Sequence, residues 1–495
     1  MEFNTKRSAG ILLHPTSLPG PHGIGAIGAH AKSFVDFLHN ANQSLWQILP
    51  LGPTGYGDSP YASTSTFAGN PLLIDLDVLA DEGLISRGDL SDAPPSCAAV
   101  DFGWAIAFKA KVLRLATDSF ASQAASHRVA DLRAFIAKHA WWLDDYALFD
   151  SLKHAYDGRP FYQWDVGLRH REPSAIELAK VELAEEIQHR YITQFLFFEQ
   201  WNSLLNYAHS RGVRIIGDVP IFVAMDSDAV WSRPELFKLG SDLTPSVVAG
   251  VPPDYFSEAG QLWGNPLYDW DAHALEGFDW WISRLAMALS LTDIVRLDHF
   301  RGFEAAWEIP AHHTDARGGE WVTGPGDSFF DALREKLGGL PLIAEDLGVI
   351  TDEVRALRDR HRLPGMHVLQ FGFDPGEDRI YAPHRAIPNT VVYTGTHDND
   401  TTNGWFRTLP SAPRELAKAY LGADGDSIHW PMIRAAYGTV ANTVIIPMQD
   451  VLGLGSEVRM NTPGQVGPWW TFRLVEQPRD AVAAALRELT ILFER

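Results

Sequence analysis

Eight short apolar runs, each ending in a polar or carboxylate-bearing turn, constrain the fold of this chain more than any other feature. They are ILLHPTS (11–17), LWQILPL (45–51), VRIIGDVPIFV (213–223), DIVRLDHF (293–300), PLIAEDLG (341–348), MHVLQFGF (366–373), TVVYTGTHD (390–398) and TVIIPMQDV (443–451). A strand that is apolar along its whole length must be covered on both faces, which is how the strands of a buried parallel sheet read. Eight such strands are what a (β/α)8 barrel needs, with a functional rim where their carboxyl ends meet. Helical spacing appears between most of the runs, as in Phe195, Phe198, Trp201, Leu205 and Ala208, or Trp281, Leu285, Ala288 and Leu289. Thr351 stands in the N-cap position of TDEVRALRDRH, which must end before Pro364, and Val482, Leu486 and Leu489 give the last segment an apolar face.

Two intervals break the alternation. Residues 61–199 read as loops and amphipathic helices, a mostly helical insertion between the second and third strands, leaving 1–60 and 200–495 for the barrel. Residues 224–277 are rich in Gly, Pro and aromatics, and PPDYFSEAGQLWGNPLY within them reads as a structured lid. The length of 495 residues suits one large barrel with insertions.

The formal net charge is −21, from 41 Lys+Arg against 62 Asp+Glu, so the average field repels nucleic acid and anionic membrane surfaces and does not penalise a neutral substrate. Many of the 17 tryptophans and 13 tyrosines fall in Gly/Pro-rich connections such as GPTGYGDSPY, where flat apolar faces suit sugar rings. Cys97 is the single cysteine, which excludes an internal disulfide and a thiolate cluster within one chain. The opening apolar run is too short for a signal-peptide core and no stretch has the length of a membrane span, so a cytoplasmic location is expected.

Carboxylates at the ends of apolar strands need a partner or a function. Asp218, Asp298, Glu345 and Asp398 stand at the ends of the third, fourth, fifth and seventh runs. Any one alone reads as a structural acid; four on one rim do not. Arg296 and Asp298 are two apart and share a strand face, so the guanidinium favours an ionised Asp298, as a nucleophile requires. Neighbouring strands lie ~4.8 Å apart, which can bring Glu345 near the ~5–5.5 Å carboxyl separation of retaining glycosidases. Glu345 would then act as acid and afterwards as base, although Asp346 beside it leaves the assignment of the two open. In THDND, His397 suits hydrogen bonding to a sugar hydroxyl and Asp398 suits orienting the ring. A metal site is the competing reading of that cluster, but no clean ligand spacing accompanies it. No Walker A loop or Rossmann fingerprint is present, so no cofactor is expected.

GILLHPTSLPGPHGIG, WQILPLGPTGYGDSPY, GDVPIFVAMDSDAVW, PPDYFSEAGQLWGNPLY, VRLDHFRGFEAAWEIP, IAEDLGVIT, YTGTHDNDT and QDVLGLGSEVRMNTPG occur in order. Together they closely resemble the amylomaltases, the disproportionating 4-α-glucanotransferases related to the α-amylases. The resemblance implies Asp298 as nucleophile, Glu345 as acid/base and Asp398 as transition-state stabiliser. It implies Arg296, His397 and Asp218 near the reacting sugar, and a groove lined by Tyr56, Ser59, Tyr61, Asp254, Tyr255, Phe256, Trp263 and Asn461. It further implies α-1,4-glucans as substrate, with another glucan or glucose as acceptor; because no ligand constellation stands out, no metal is expected. GPWW departs from the spacing usual in the family, which leaves Trp469 and Trp470 without assigned roles. An α-1,4-glucan hydrolase using the same acids, and more remotely a non-catalytic glucan-binding protein, are the rival readings.

Overall fold

The computed structural model describes residues 6–122, 127–253, 258–376, 378–425, 427–465 and 467–495. A strand overlaps each of the eight apolar runs: β1 Ser8–Leu12, which shares only Ile11 and Leu12 with its run, β2 Leu45–Gln47, β3 Arg214–Pro220, β4 Ile294–Asp298, β5 Leu342–Ala344, β6 Gly365–Val368, β7 Thr390–Tyr393 and β8 Thr443–Pro447. They pair in parallel in the order β6-β7-β8-β1-β2-β3-β4-β5. The remaining seam is bridged where Ala344 N donates to Pro364 O over 2.9 Å, just ahead of β6. The result is the (β/α)8 barrel that the pattern of runs predicts. Gly10 marks a close approach of β1 to β2, since a Cβ there would lie 2.3 Å from Leu45 O. Inside the barrel, Tyr393 Oη donates to Gln47 Oε1 at 2.8 Å, which satisfies a hydroxyl buried among apolar strands.

Segment 61–199 carries the helices Phe102–Ser122, His127–Ala155 and Pro173–Glu182, and the following helix Ala184–Ser210 runs unbroken across residue 199 into the approach to β3. Ala105, Phe108, Val112 and Leu143 share one buried cluster with Ile11, Trp46 and Ile215, so the inserted helices and barrel have a continuous core. Trp201 anchors helix Ala184–Ser210: its side chain is fully buried and its indole N–H donates to Leu291 O at 2.8 Å. Truncating such a residue to alanine costs roughly 3–5 kcal/mol.

The 224–277 interval contributes more regular structure than a lid of loops. Gln261–Pro266 pairs with Val247–Val251, which pairs with Ala305–Pro310, which pairs with Glu320–Thr323, forming a four-stranded antiparallel sheet. Trp307 crosses to Trp321 within this sheet at 5.2 Å. Thr351 does occupy the N-cap of helix Asp352–Arg360, but its side chain makes no cap hydrogen bond. Among the described residues, no helix is long and apolar enough to cross a membrane.

Candidate active site

The carboxyl ends of β3, β4, β5 and β7 gather the predicted carboxylates. Register pairs Asp218 with Arg296 across β3 and β4, and Leu297 with Ala344 across β4 and β5. One residue further, Asp298 and Glu345 therefore stand at the same level on adjacent strands. The ladder continues to hold Glu345 there, because its N–H donates to Leu297 O and its carbonyl accepts from Phe300 N, both at 3.0 Å.

Arg296 is buried between two acids. Its Nη1 donates to both Asp218 oxygens at 2.9 and 2.8 Å, and its Nη2 lies 2.8 Å from Asp298 Oδ1. Burial works against the guanidinium charge, but Asp218 and Asp298 more than offset it and keep the group cationic. Burial pushes the Asp218 carboxyl up to about 7, against the pull of Arg296 and of Tyr61, whose hydroxyl donates to Asp218 Oδ2 at 2.7 Å. Asp298 is partly exposed.

Glu345 is a different kind of acid. Burial first, and then the negative charge of Asp298, push it up to about 8 despite the opposing pull of Arg296. Its Oε2 accepts from His299 N at 2.8 Å and its Oε1 from Leu347 N at 3.0 Å, so the carboxyl is oriented by backbone. His299 reaches this position with φ 50° and ψ 51°, a left-handed conformation that histidine seldom adopts, and one that aims its N–H at Glu345. A carboxyl protonated near neutral pH beside an arginine-paired carboxylate is the arrangement that assigns acid and nucleophile in glycosidic chemistry. Asp346 points the other way: Oδ1 accepts from Met366 N at 2.7 Å and Oδ2 pairs with Arg358. Asp346 is thus engaged by Met366 and Arg358, and Glu345 by the backbone beside Asp298.

From β7, buried His397 stacks on Tyr61 with centroids 4.9 Å apart, and burial lowers its pKa, leaving a neutral imidazole. Its Nε2 is 3.4 Å from Asp398 Oδ2, while Asn461 Nδ2 donates to Asp398 Oδ1 at 2.6 Å. Trp263 stands 38% exposed on the antiparallel sheet, edge-on to His299 at 4.8 Å. Ser59 Oγ accepts from Tyr61 N at 3.2 Å and so shapes the turn that delivers Tyr61. Tyr56, at the start of the turn Tyr56–Asp58, is 84% exposed. Asp254, Tyr255 and Phe256 lie outside the described residues. Trp470 packs behind Tyr61 and His397 at 5.7 and 6.0 Å, whereas Trp469 donates locally to Gln465 O.

Three residues that adjoin these side chains are absent from the sequence-based candidates. His299 was legible as the residue after Asp298, but nothing in the sequence announces its backbone geometry. His14, buried and held neutral at about 3 by burial and by neighbouring His397, shares a small cavity with His397 and Asp400. Arg459 meets Asp398 only through folding of a distant loop. The described residues bring no three His, Cys, Asp or Glu side chains together in a metal-holding group.

A family profile described as 4-alpha-glucanotransferase matches residues 13–477. The 4-alpha-glucanotransferase of Thermus thermophilus is 51% identical over 95% of both chains, and that of Synechocystis sp. is 47% identical over 99% of this chain and 98% of the relative. The structure of an amylomaltase from Streptococcus agalactiae in complex with acarbose superposes with a TM-score of 0.95 at 40% identity, covering 99% of this chain and all of that one.

Proposed function

The chain belongs to the 4-alpha-glucanotransferase family and is a glucan-transferring enzyme, and on that premise we propose that its reaction runs through Asp298 and Glu345. One observation carries the reading: Glu345, protonated near neutral pH, stands in register with Asp298, which Arg296 clasps.

Asp298 attacks the anomeric carbon of an α-1,4-linked donor while Glu345 passes its proton to the departing glycosidic oxygen. The donor segment stays on Asp298 as a glycosyl ester. The ionised Glu345 then takes the proton of an incoming sugar 4-hydroxyl, whose oxygen displaces Asp298 from the anomeric carbon. Two inversions return the α configuration. Asp398, steadied by Asn461, stabilises the cationic ring between these steps, and neutral His397 donates to a ring hydroxyl. Asp218 and Tyr61 hold Arg296 in place. Trp263, exposed beside His299, is the surface on which an acceptor sugar packs, so that the bound acceptor keeps water off the intermediate. The acceptor is another maltooligosaccharide or glucose.

Incubation with maltotriose tests this directly. Longer oligosaccharides together with glucose are expected, all α-linked by NMR from the earliest time points. Growth in total reducing ends without a ladder would instead make the enzyme a hydrolase, and β-linked early products would exclude double displacement.

A further inference from the structure

We infer that Arg459 is a positioning residue that sets the working geometry of Asp398, an inference that rests on the role read above for Asp398. The loop 394–402 leaves β7 at the rim and is fastened to its neighbours chiefly away from residue 398. Asp450 accepts from Thr394 Oγ1, Thr402 N and Thr402 Oγ1 at 2.5, 2.6 and 2.7 Å. Gln370 Nε2 donates to Asp400 O at 2.8 Å, and Ser456 Oγ donates to Asp400 Oδ2 at 2.6 Å. These contacts fix the two ends of the loop and its far side. Asp398 sits between them with a side chain 38% exposed, its N–H reaching Thr396 Oγ1 at 3.2 Å.

Arg459 closes the remaining gap from the other side of the rim. Its Nη2 donates to Asp398 O at 2.7 Å and its Nε to Asn461 O at 2.7 Å. Asn461 Nδ2 in turn donates to Asp398 Oδ1 at 2.6 Å. The three residues form a closed ring in which one guanidinium grips both backbone carbonyls, so the carboxylate of Asp398 and the amide that orients it move as one unit. Only a planar fork does this: a lysine ammonium is a point charge on a flexible stem and cannot present two donors in the same fixed directions. The guanidinium itself points at carbonyl oxygens, so it acts through Asp398 and Asn461. Misplacing a reacting group by about 1 Å costs on the order of 10²-fold in rate, which sets the scale of the effect.

The test compares Arg459→Ala, Arg459→Lys, Asp398→Asn and the double variant Arg459→Ala/Asp398→Asn on maltotriose, with circular dichroism and melting curves as fold controls. Arg459→Ala should lower kcat by about 10- to 100-fold while KM moves far less. Arg459→Lys should keep part of that loss, and free guanidinium ion should restore part of the rate of Arg459→Ala. In the double variant the Arg459 substitution should cost almost nothing further, because residues acting as a unit are not additive. If Arg459→Ala fails to fold, Arg459→Lys, alone and combined with Asp398→Asn, carries the same comparison. Losses that multiply in the double variant, or an unchanged kcat in the Arg459 variants while Asp398→Asn is inactive, would overturn the role of Arg459 and leave that of Asp398 standing. Full kcat in Asp398→Asn would remove both.

Discussion

Replacing Glu345 by Gln should make the enzyme nearly inactive and, relative to wild type, progressively more stable as the pH rises. Burial and Asp298 lift the Glu345 pKa in the folded chain from the ordinary 4.5 to about 8. Below about pH 4.5 both folded and unfolded chains carry the proton, and above it the unfolded chain releases one that the folded chain retains. The stability associated with the protonated folded acid is therefore lost as pH rises from about 4.5 through about 8. Between about pH 5 and pH 9 some three units at ~1.4 kcal/mol each give roughly 4 kcal/mol, which the residual solvent contact of Glu345 reduces to ~2–4 kcal/mol. Glutamine does not titrate, so it escapes this loss. It does carry a pH-independent cost of ~1–3 kcal/mol, because its amide NH2 faces one of the two N–H groups, of His299 or Leu347, that the carboxyl satisfies. Equilibrium urea unfolding of both proteins at several pH values reads the difference, and thermal melts should shift by ~2–4 °C across the range for a chain of this size. Transfer from unactivated maltooligosaccharides should fall by at least ~10²-fold. A stability difference that stays flat with pH would mean that Glu345 titrates as an ordinary surface acid and is not poised to give a proton near neutral pH.

Asp298→Asn should abolish transfer with melting behaviour close to wild type, since Arg296 keeps both bonds to Asp218; an active variant would remove Asp298 from the mechanism. Trp263→Ala should lower the ratio of transfer to hydrolysis more than the rate of donor cleavage, read as the oligosaccharide ladder against new reducing ends, and an unchanged ratio would dismiss its part in covering the intermediate. Activity should survive prolonged EDTA treatment; loss restored by an added cation would reveal a metal site.

What the sequence determined by itself is the part governed by local periodicity. Short runs apolar on both faces fit interior strands, and one of β1 to β8 overlaps each run from ILLHPTS through TVIIPMQDV. The two-residue spacing of Arg296 and Asp298 puts both on one face whatever surrounds them, and the contact between them follows. Tertiary structure decided what depends on neighbours distant in the chain. Glu345 and Asp346 are adjacent and chemically alike, and they part only because Arg358 and the Met366 N–H wait on one side and Asp298 on the other. The 224–277 lid became half of an antiparallel sheet because Ala305–Pro310 offered an edge to Val247–Val251, a pairing between segments that no local pattern links. Tyr56 and Tyr61 share one turn, yet Tyr61 is drawn under by Asp218 while Tyr56 faces solvent. Arg459 reaches Asp398 across 61 positions of chain. Such long-range contacts are set by how the barrel and its loops share one core, and one sequence read residue by residue contains no term for them.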